Sequence, residues 1–172
     1  LRPDDAPLDE LRALPQSVLA ARALLPILSD EGLAYLWEQA EQHAVRGFVY
    51  QAMIADAFYE RYGSYGGEWD KRCAEIIGTS RETVANRRRA WAYISTKAAP
   101  DDEVRLLGKG VVEALGARVL QGEDVGELAD PALEELQGGR RSRSAWARVI
   151  RHGVALGDVV PSCAAPGAQA AR

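Results

Sequence analysis

An all-α, multi-helix bundle is the fold that this chain of 172 residues predicts. Three observations carry that expectation. Apolar residues recur at three- and four-residue steps, no stretch alternates at period two for long enough to make a strand, and the breaks fall at Gly, Pro or a capping Ser. With 47% hydrophobic and 27% charged residues, the composition fits one globular unit.

The elements follow in order. Pro15 suits the first turn of a short apolar helix through Val18, Leu19, Leu24 and Leu25, which Pro26 bends or ends near Leu28. Ser29 or Asp30 then caps a long amphipathic helix to Tyr62, with Gly47 as a place to bend and Gly63 as its stop. Gly63 to Gly67 is loop by composition. A helix resumes near Glu68, with Trp69, Cys73, Ile76 and Ile77 on its buried side, and breaks at Gly78-Thr79-Ser80. Ser80 caps the next helix, which runs through Val84 and Arg87-Arg88-Arg89 to about Ser95 before Ala98-Ala99-Pro100. From Asp101 to Leu120 the glycines at 108, 110 and 116 each cost about 1 kcal/mol in a helix interior, so two pieces are expected there. Asp130-Pro131 starts a short helix to Gln137, and Ser144 caps a last one from Ala145 to Leu156. Val159 to Arg172, rich in Pro, Ala and Gly, reads as a mobile C-terminal tail.

Several function classes drop out early. Arg, Asp, Glu or His interrupts every apolar run before it reaches the roughly 18 residues of a membrane span. Leu1 to Asp5 lack the basic and apolar regions of a secretory signal, which makes the cytoplasm the expected compartment. Cys73 and Cys163 have no paired spacing, and only His43 and His152 could join them on a metal, so neither a metal nor another cofactor is expected. The same shortage leaves no nucleophile with a base and an orienting carboxylate, so catalysis is not expected. Asp101-Asp102-Glu103 could hold Mg²⁺ in principle, but acids at a helix start are more often there to complement the dipole.

The informative stretch is Glu68 to Arg89. A helix-turn-helix needs a small residue where its helices cross, a Gly that takes positive φ in the turn, a cap on the second helix and an apolar residue on that helix's inner face. Ala74, Gly78, Ser80 and Val84 supply these in order. Gly78-Thr79-Ser80-Arg81-Glu82-Thr83-Val84 resembles the turn and recognition-helix start of bacterial, phage and plasmid helix-turn-helix regulators, over about residues 68–89. Two positions depart from that pattern. Thr79 stands where an apolar residue is usual, and Arg87 where a buried aliphatic residue anchors the recognition helix; Arg88 or Trp91 could carry that packing if the helix is rotated. The order of elements also resembles the central region of ParB-type plasmid-partition proteins, though no arginine-rich nucleotide-binding segment precedes it, so CTP chemistry is not carried over.

Charge is segregated in the same sense. The chain carries −4 overall, yet Trp69 to Lys97 balances at +4 and Gly138 to His152 at +5, leaving −13 elsewhere. Such a distribution suits a protein with one face on phosphate, although the same arginines could pair with an acidic protein surface. Helix geometry and the resemblance together assign base contacts to Arg81, Glu82, Thr83, Asn86 and Arg87, and phosphate contacts to Lys71, Arg72, Thr79, Ser80, Arg88 and Arg89. Arg140, Arg141 and Arg143 form a second phosphate-contacting candidate, a flexible basic loop.

The expectation is thus a cytoplasmic, nucleoid-associated, double-stranded DNA-binding protein without catalysis, acting as a homodimer. Its regions would be residues 1–62, helical and a candidate pairing surface; 63–99, the helix-turn-helix; 100–157, helical with the basic loop; and 158–172, disordered. Whether the apolar face of Asp30 to Tyr62 pairs two copies or forms the core of one is left open by the sequence. The alternative is a helical protein-interaction adaptor whose helix-turn-helix is only a scaffold.

Overall fold

A computed structural model of the chain describes residues 18–64 and 67–153. Among these, nine α-helices and no strands are present, so the all-α, multi-helix expectation holds. The expected C-terminal tail lies outside the described residues.

Helix α1 (Val18–Leu24) leads into a 3₁₀ turn (Leu25–Ile27) that contains Pro26. Ser29 caps α2 (Asp30–Glu41), its Oγ accepting from the Gly32 amide at 3.1 Å. The single long helix expected from Asp30 to Tyr62 is in fact two, because the chain breaks at Gln42-His43 before α3 (Ala44–Tyr62). The reason is tertiary. α3 folds back so closely that a Cβ on Gly47 would lie 1.8 Å from the Ala40 carbonyl oxygen, a distance only Gly allows. At its far end, Arg61 donates to Asp30 Oδ1 at 3.0 Å and to the Leu25 and Leu28 carbonyls, and Tyr62 donates to Asp30 Oδ2. Asp30 thereby ties the start of α2 to the end of α3, and Arg61 ties that end to the preceding turn.

Helices α4 (Trp69–Ile77) and α5 (Arg81–Ile94) follow, joined by Gly78-Thr79-Ser80. Pro100 opens α6 (Pro100–Leu107), and Gly108, at φ 83°, separates it from α7 (Lys109–Leu120), as the glycine content predicts. α8 (Gly126–Gln137) begins earlier than the expected Asp130 start: Asp124 Oδ1 accepts from the Gly126 amide at 3.0 Å, and Pro131 sits inside the helix. α9 (Arg143–His152) is capped by Ser142, whose Oγ accepts from Ala145 at 3.2 Å, rather than by Ser144.

One cluster of buried side chains joins residues from Ala21 to Ile150. In that cluster α3, with Phe48, Val49, Met53, Ile54 and Phe58, packs on α5, with Val84, Trp91 and Ile94, and α5 in turn packs on α7, with Val111, Val112 and Leu115. The apolar face of α3 is therefore used within one chain. α5 and α7 make the most extensive helix pairing. Gly116 permits it, since a Cβ there would fall 1.6 Å from the Arg89 carbonyl oxygen. α9 packs on the other side of α7 through Trp146, Val149 and Ile150.

Candidate nucleic-acid interface

The turn between α4 and α5 is built as its sequence requires. Gly78 takes φ 81°, in the left-handed region that disfavours any residue with a Cβ, and the Gly78 and Thr79 amides both donate to the Ala74 carbonyl, at 2.8 and 3.0 Å. Ser80 Oγ accepts from the Thr83 amide at 3.0 Å and lies 2.9 Å from the Thr83 hydroxyl. Behind this turn Cys73, Ala74 and Val84 are buried. Burial pushes the Cys73 thiol up, with Asp30 and Asp70 adding to the effect, so it is a neutral packing group rather than a nucleophile.

On the outer side, Lys71, Arg72, Ser80, Arg81, Glu82 and Arg89 are exposed, and Thr79, Thr83 and Asn86 are half-buried. Several hold one another. Arg81 makes a forked contact with Asp70, its Nη2 3.0 and 3.2 Å from the two oxygens; Arg89 donates to Asn86 Oδ1 at 2.7 Å; and the Arg72 guanidinium lies 4.2 Å from the Tyr62 ring centroid. The outer face thus carries forked donors, an amide and hydroxyls, together with the acids Asp70, Glu75 and Glu82.

Arg87 and Arg88 lie elsewhere than the sequence suggests. Arg87 points inward: Nη1 donates to Glu113 Oε1 at 2.6 Å, Nε donates to Gln51 Oε1 at 3.0 Å, and the guanidinium covers the Phe48 ring at 4.5 Å. It occupies the inner position where an aliphatic residue was expected, turned away from the exposed outer face on which the sequence placed it. Arg88 turns to the opposite flank, over the Tyr59 ring at 3.3 Å with Nε 3.7 Å from Asp56 Oδ1. Burial first, then Glu60, raises the Asp56 carboxyl above its ordinary value, and Arg88 only partly offsets this.

The loop before α9 is likewise engaged. Arg141 binds Glu135 at 2.7 and 2.8 Å, and Arg143 donates to the Arg105 and Leu106 carbonyls at the end of α6. Arg140 is exposed. Comparison of the chain with family models, curated proteins and solved structures found no match. No group of three or more His, Cys, Asp or Glu positioned to hold a metal occurs among the described residues, and none of their helices is long and apolar enough to cross a membrane.

Arg148, Arg151 and His152, within the basic Gly138 to His152 stretch that the sequence marks out, line a groove of about 420 Å³ between α7 and α9 together with Lys109, which sequence reasoning missed. The spacing of Arg148 and Arg151 opposite buried Trp146, Val149 and Ile150 was a readable sign of an outward pair. Lys109 joins them only through the fold. Glu113 and Gln51 were missed too, having no local signal.

Proposed function

We propose that this chain binds double-stranded DNA as a regulator or DNA-organising factor, with α4 and α5 acting as a helix-turn-helix and the amino half of α5 entering the major groove. The supporting observation is the division of that helix pair. Its inner side is buried, and its outer side leaves Arg81, Glu82, Thr83 and Asn86 exposed or half-buried together, beside Lys71, Arg72, Thr79, Ser80 and Arg89; in this reading the first four face base edges and the others phosphate. Arg and Asn there can make two hydrogen bonds each to guanine and adenine. Arg81 must first exchange Asp70 for DNA, which lets a correct site compete with an internal carboxylate. Two copies would set two α5 helices on successive major grooves.

The test is fluorescence-anisotropy titration of random-sequence duplex and single-stranded DNA at two salt concentrations, with wild type and an Arg81→Ala/Asn86→Ala/Arg89→Ala variant. Salt-sensitive duplex binding is expected, weakened about tenfold or more in the variant, since each good base contact contributes roughly 1–3 kcal/mol. Absence of wild-type binding at low salt overturns the reading. It would then favour the protein-interaction adaptor, for which the internal roles of Arg87 and Arg88 and the acids on the outer face are the supporting observations.

A further inference from the structure

Helices α7 and α9 enclose a groove whose charged lining is wholly basic, formed by Lys109, Arg143, Arg148, Arg151 and His152. We propose that this groove is a second binding surface for the phosphate backbone of the same duplex; the inference rests on the DNA-binding reading.

The charges converge from segments about thirty to forty positions apart in sequence, and no carboxylate lines the groove with them. Their availability distinguishes them from the other arginines of the C-terminal region. Arg141 is held by Glu135 and Arg143 by two carbonyls, whereas Arg148 and Arg151 are exposed and make no hydrogen bond or ion pair within 4 Å among the described residues. Charges left facing solvent in this way are kept apart from the acidic remainder of the chain, as a phosphate-binding stripe requires.

The groove also adjoins α5. Glu113, one turn along α7 from Lys109, holds Arg87 and feels the charges of both Arg151 and Arg89. Lys109 and Arg87 share the Phe48 ring, at 5.5 and 4.5 Å from its centroid. Arg89, exposed on α5, and Arg151, in the groove, therefore both lie near the Glu113 carboxylate. A separate hollow at the α4–α5 turn, beside Ile76, Ile77 and Gly78, is lined by Glu31, Glu38 and Glu41 of α2. A polyanion is repelled from that side and drawn to the α7–α9 side.

The groove's chemistry selects a duplex backbone over a nucleotide or single strand. The rest of its lining is Gly108, Gly110, Val111, Ser144 and Ala147, and its one ring is the His152 imidazole, so it has no Phe, Tyr or Trp on which an unpaired base would stack and only two small apolar side chains for a small ligand. Small residues and mobile cations suit a rounded ridge of phosphates.

The experiment measures the slope of log affinity against log salt for the full chain on duplex DNA. Variants are Lys109→Gln/Arg148→Gln/Arg151→Gln and, as a charge control, Arg46→Gln/Arg105→Gln. The groove variant is expected to bind more weakly on every sequence, with a slope shallower by about 2–3, because each phosphate contact contributes roughly 0.9. The control should keep the wild-type slope, and hydroxyl-radical footprints should lose their outer protected positions only in the groove variant. Arg148→Gln alone, at an exposed site, should reduce the slope by about 1 and serves if the triple variant fails to fold. An unchanged slope in the groove variants, with binding still lost in the Arg81/Asn86/Arg89 variant, overturns this inference and leaves the DNA reading standing. Wild type without salt-sensitive duplex binding overturns both.

Discussion

Arg87 Nη1 lies 2.6 Å from Glu113 Oε1, joining α5 to α7 at the place where a helix-turn-helix normally seats an aliphatic side chain. Both side chains are mostly covered, at 17% and 11% exposure. Burial acts on the two in opposite directions, lowering the Arg87 pKa and raising that of Glu113, so each is pushed toward its neutral form and held charged by the other. An ion pair so placed replaces apolar packing at the cost of desolvation, and its role becomes one of mutual dependence.

Removing one partner leaves the other nearly buried and unpaired. Arg87→Leu and Glu113→Leu should each lower stability by about 2–4 kcal/mol, the range for breaking a covered pair with some water access. Arg87→Leu/Glu113→Leu should cost well under the sum of the two single losses, roughly 1–3 kcal/mol, chiefly for the Gln51 carbonyl, which loses its donor in a residue only 7% exposed. Urea unfolding of the four proteins gives the cycle. Additive losses would refute the coupling. If the chain binds duplex DNA as proposed, Arg87→Leu, at a temperature where it is folded, should keep its affinity within a few-fold of wild type, since the guanidinium is held inward by Glu113 and Gln51.

Gly116→Ala should destabilise by about 3 kcal/mol, at the upper end of ordinary overpacking, because the added methyl meets backbone that cannot rotate away: the Arg89 carbonyl oxygen at 1.6 Å and carbon at 2.4 Å. Gly110→Ala on the same helix is the comparison. Its Cβ would lie 3.9 Å from Ala147 Cβ, an ordinary contact, so the helix preference of Ala should make it neutral or stabilising by up to about 1 kcal/mol. Thermal unfolding separates the two, and equal effects would argue against the close α5–α7 approach.

Features fixed by local chemistry were legible in the sequence, such as the Ser29 and Ser80 caps, the Gly78 turn and the division of Asp101 to Leu120 at Gly108. Those decided by contact across the fold were not. Nothing in Glu41-Gln42-His43-Ala44 stops a helix; the break follows from the Gly47 approach to Ala40. A run of three arginines looks like one basic face, yet successive helical positions turn by about 100°, sending Arg87 to Glu113, Arg88 to Tyr59 and Arg89 outward. The partners that claim the first two lie 26 and 29 positions away in sequence.

Arg140-Arg141-Ser142-Arg143-Ser144 offers two serines as caps, and the fold uses the first. Ser142→Ala should cost about 1 kcal/mol through the lost bond to the Ala145 amide, whereas Ser144→Ala, exposed within the first turn, should stay within about 0.5 kcal/mol of wild type. The reverse order in chemical denaturation would restore the later helix start that the sequence suggested.

The Glu113 carboxyl gives a pH dependence whose sign follows from its environment. Burial raises its pKa above the ordinary 4.5, and the lowering by Arg87, Arg151 and Arg89 does not cancel that. The native state therefore holds this proton more tightly than the unfolded chain does. Its contribution to stability is largest below about 4.5 and is lost as pH rises through the higher folded value, because over that window the folded protein binds more protons than the unfolded one. Glu113→Gln removes this titration while keeping an oxygen to accept from Arg87. Urea midpoints at pH 4, 5, 6 and 7 should show wild type losing stability relative to the variant as pH increases through this window. A constant difference at all four values would mean that Glu113 titrates alike in both states, and that Arg87 and solvent fully compensate its burial.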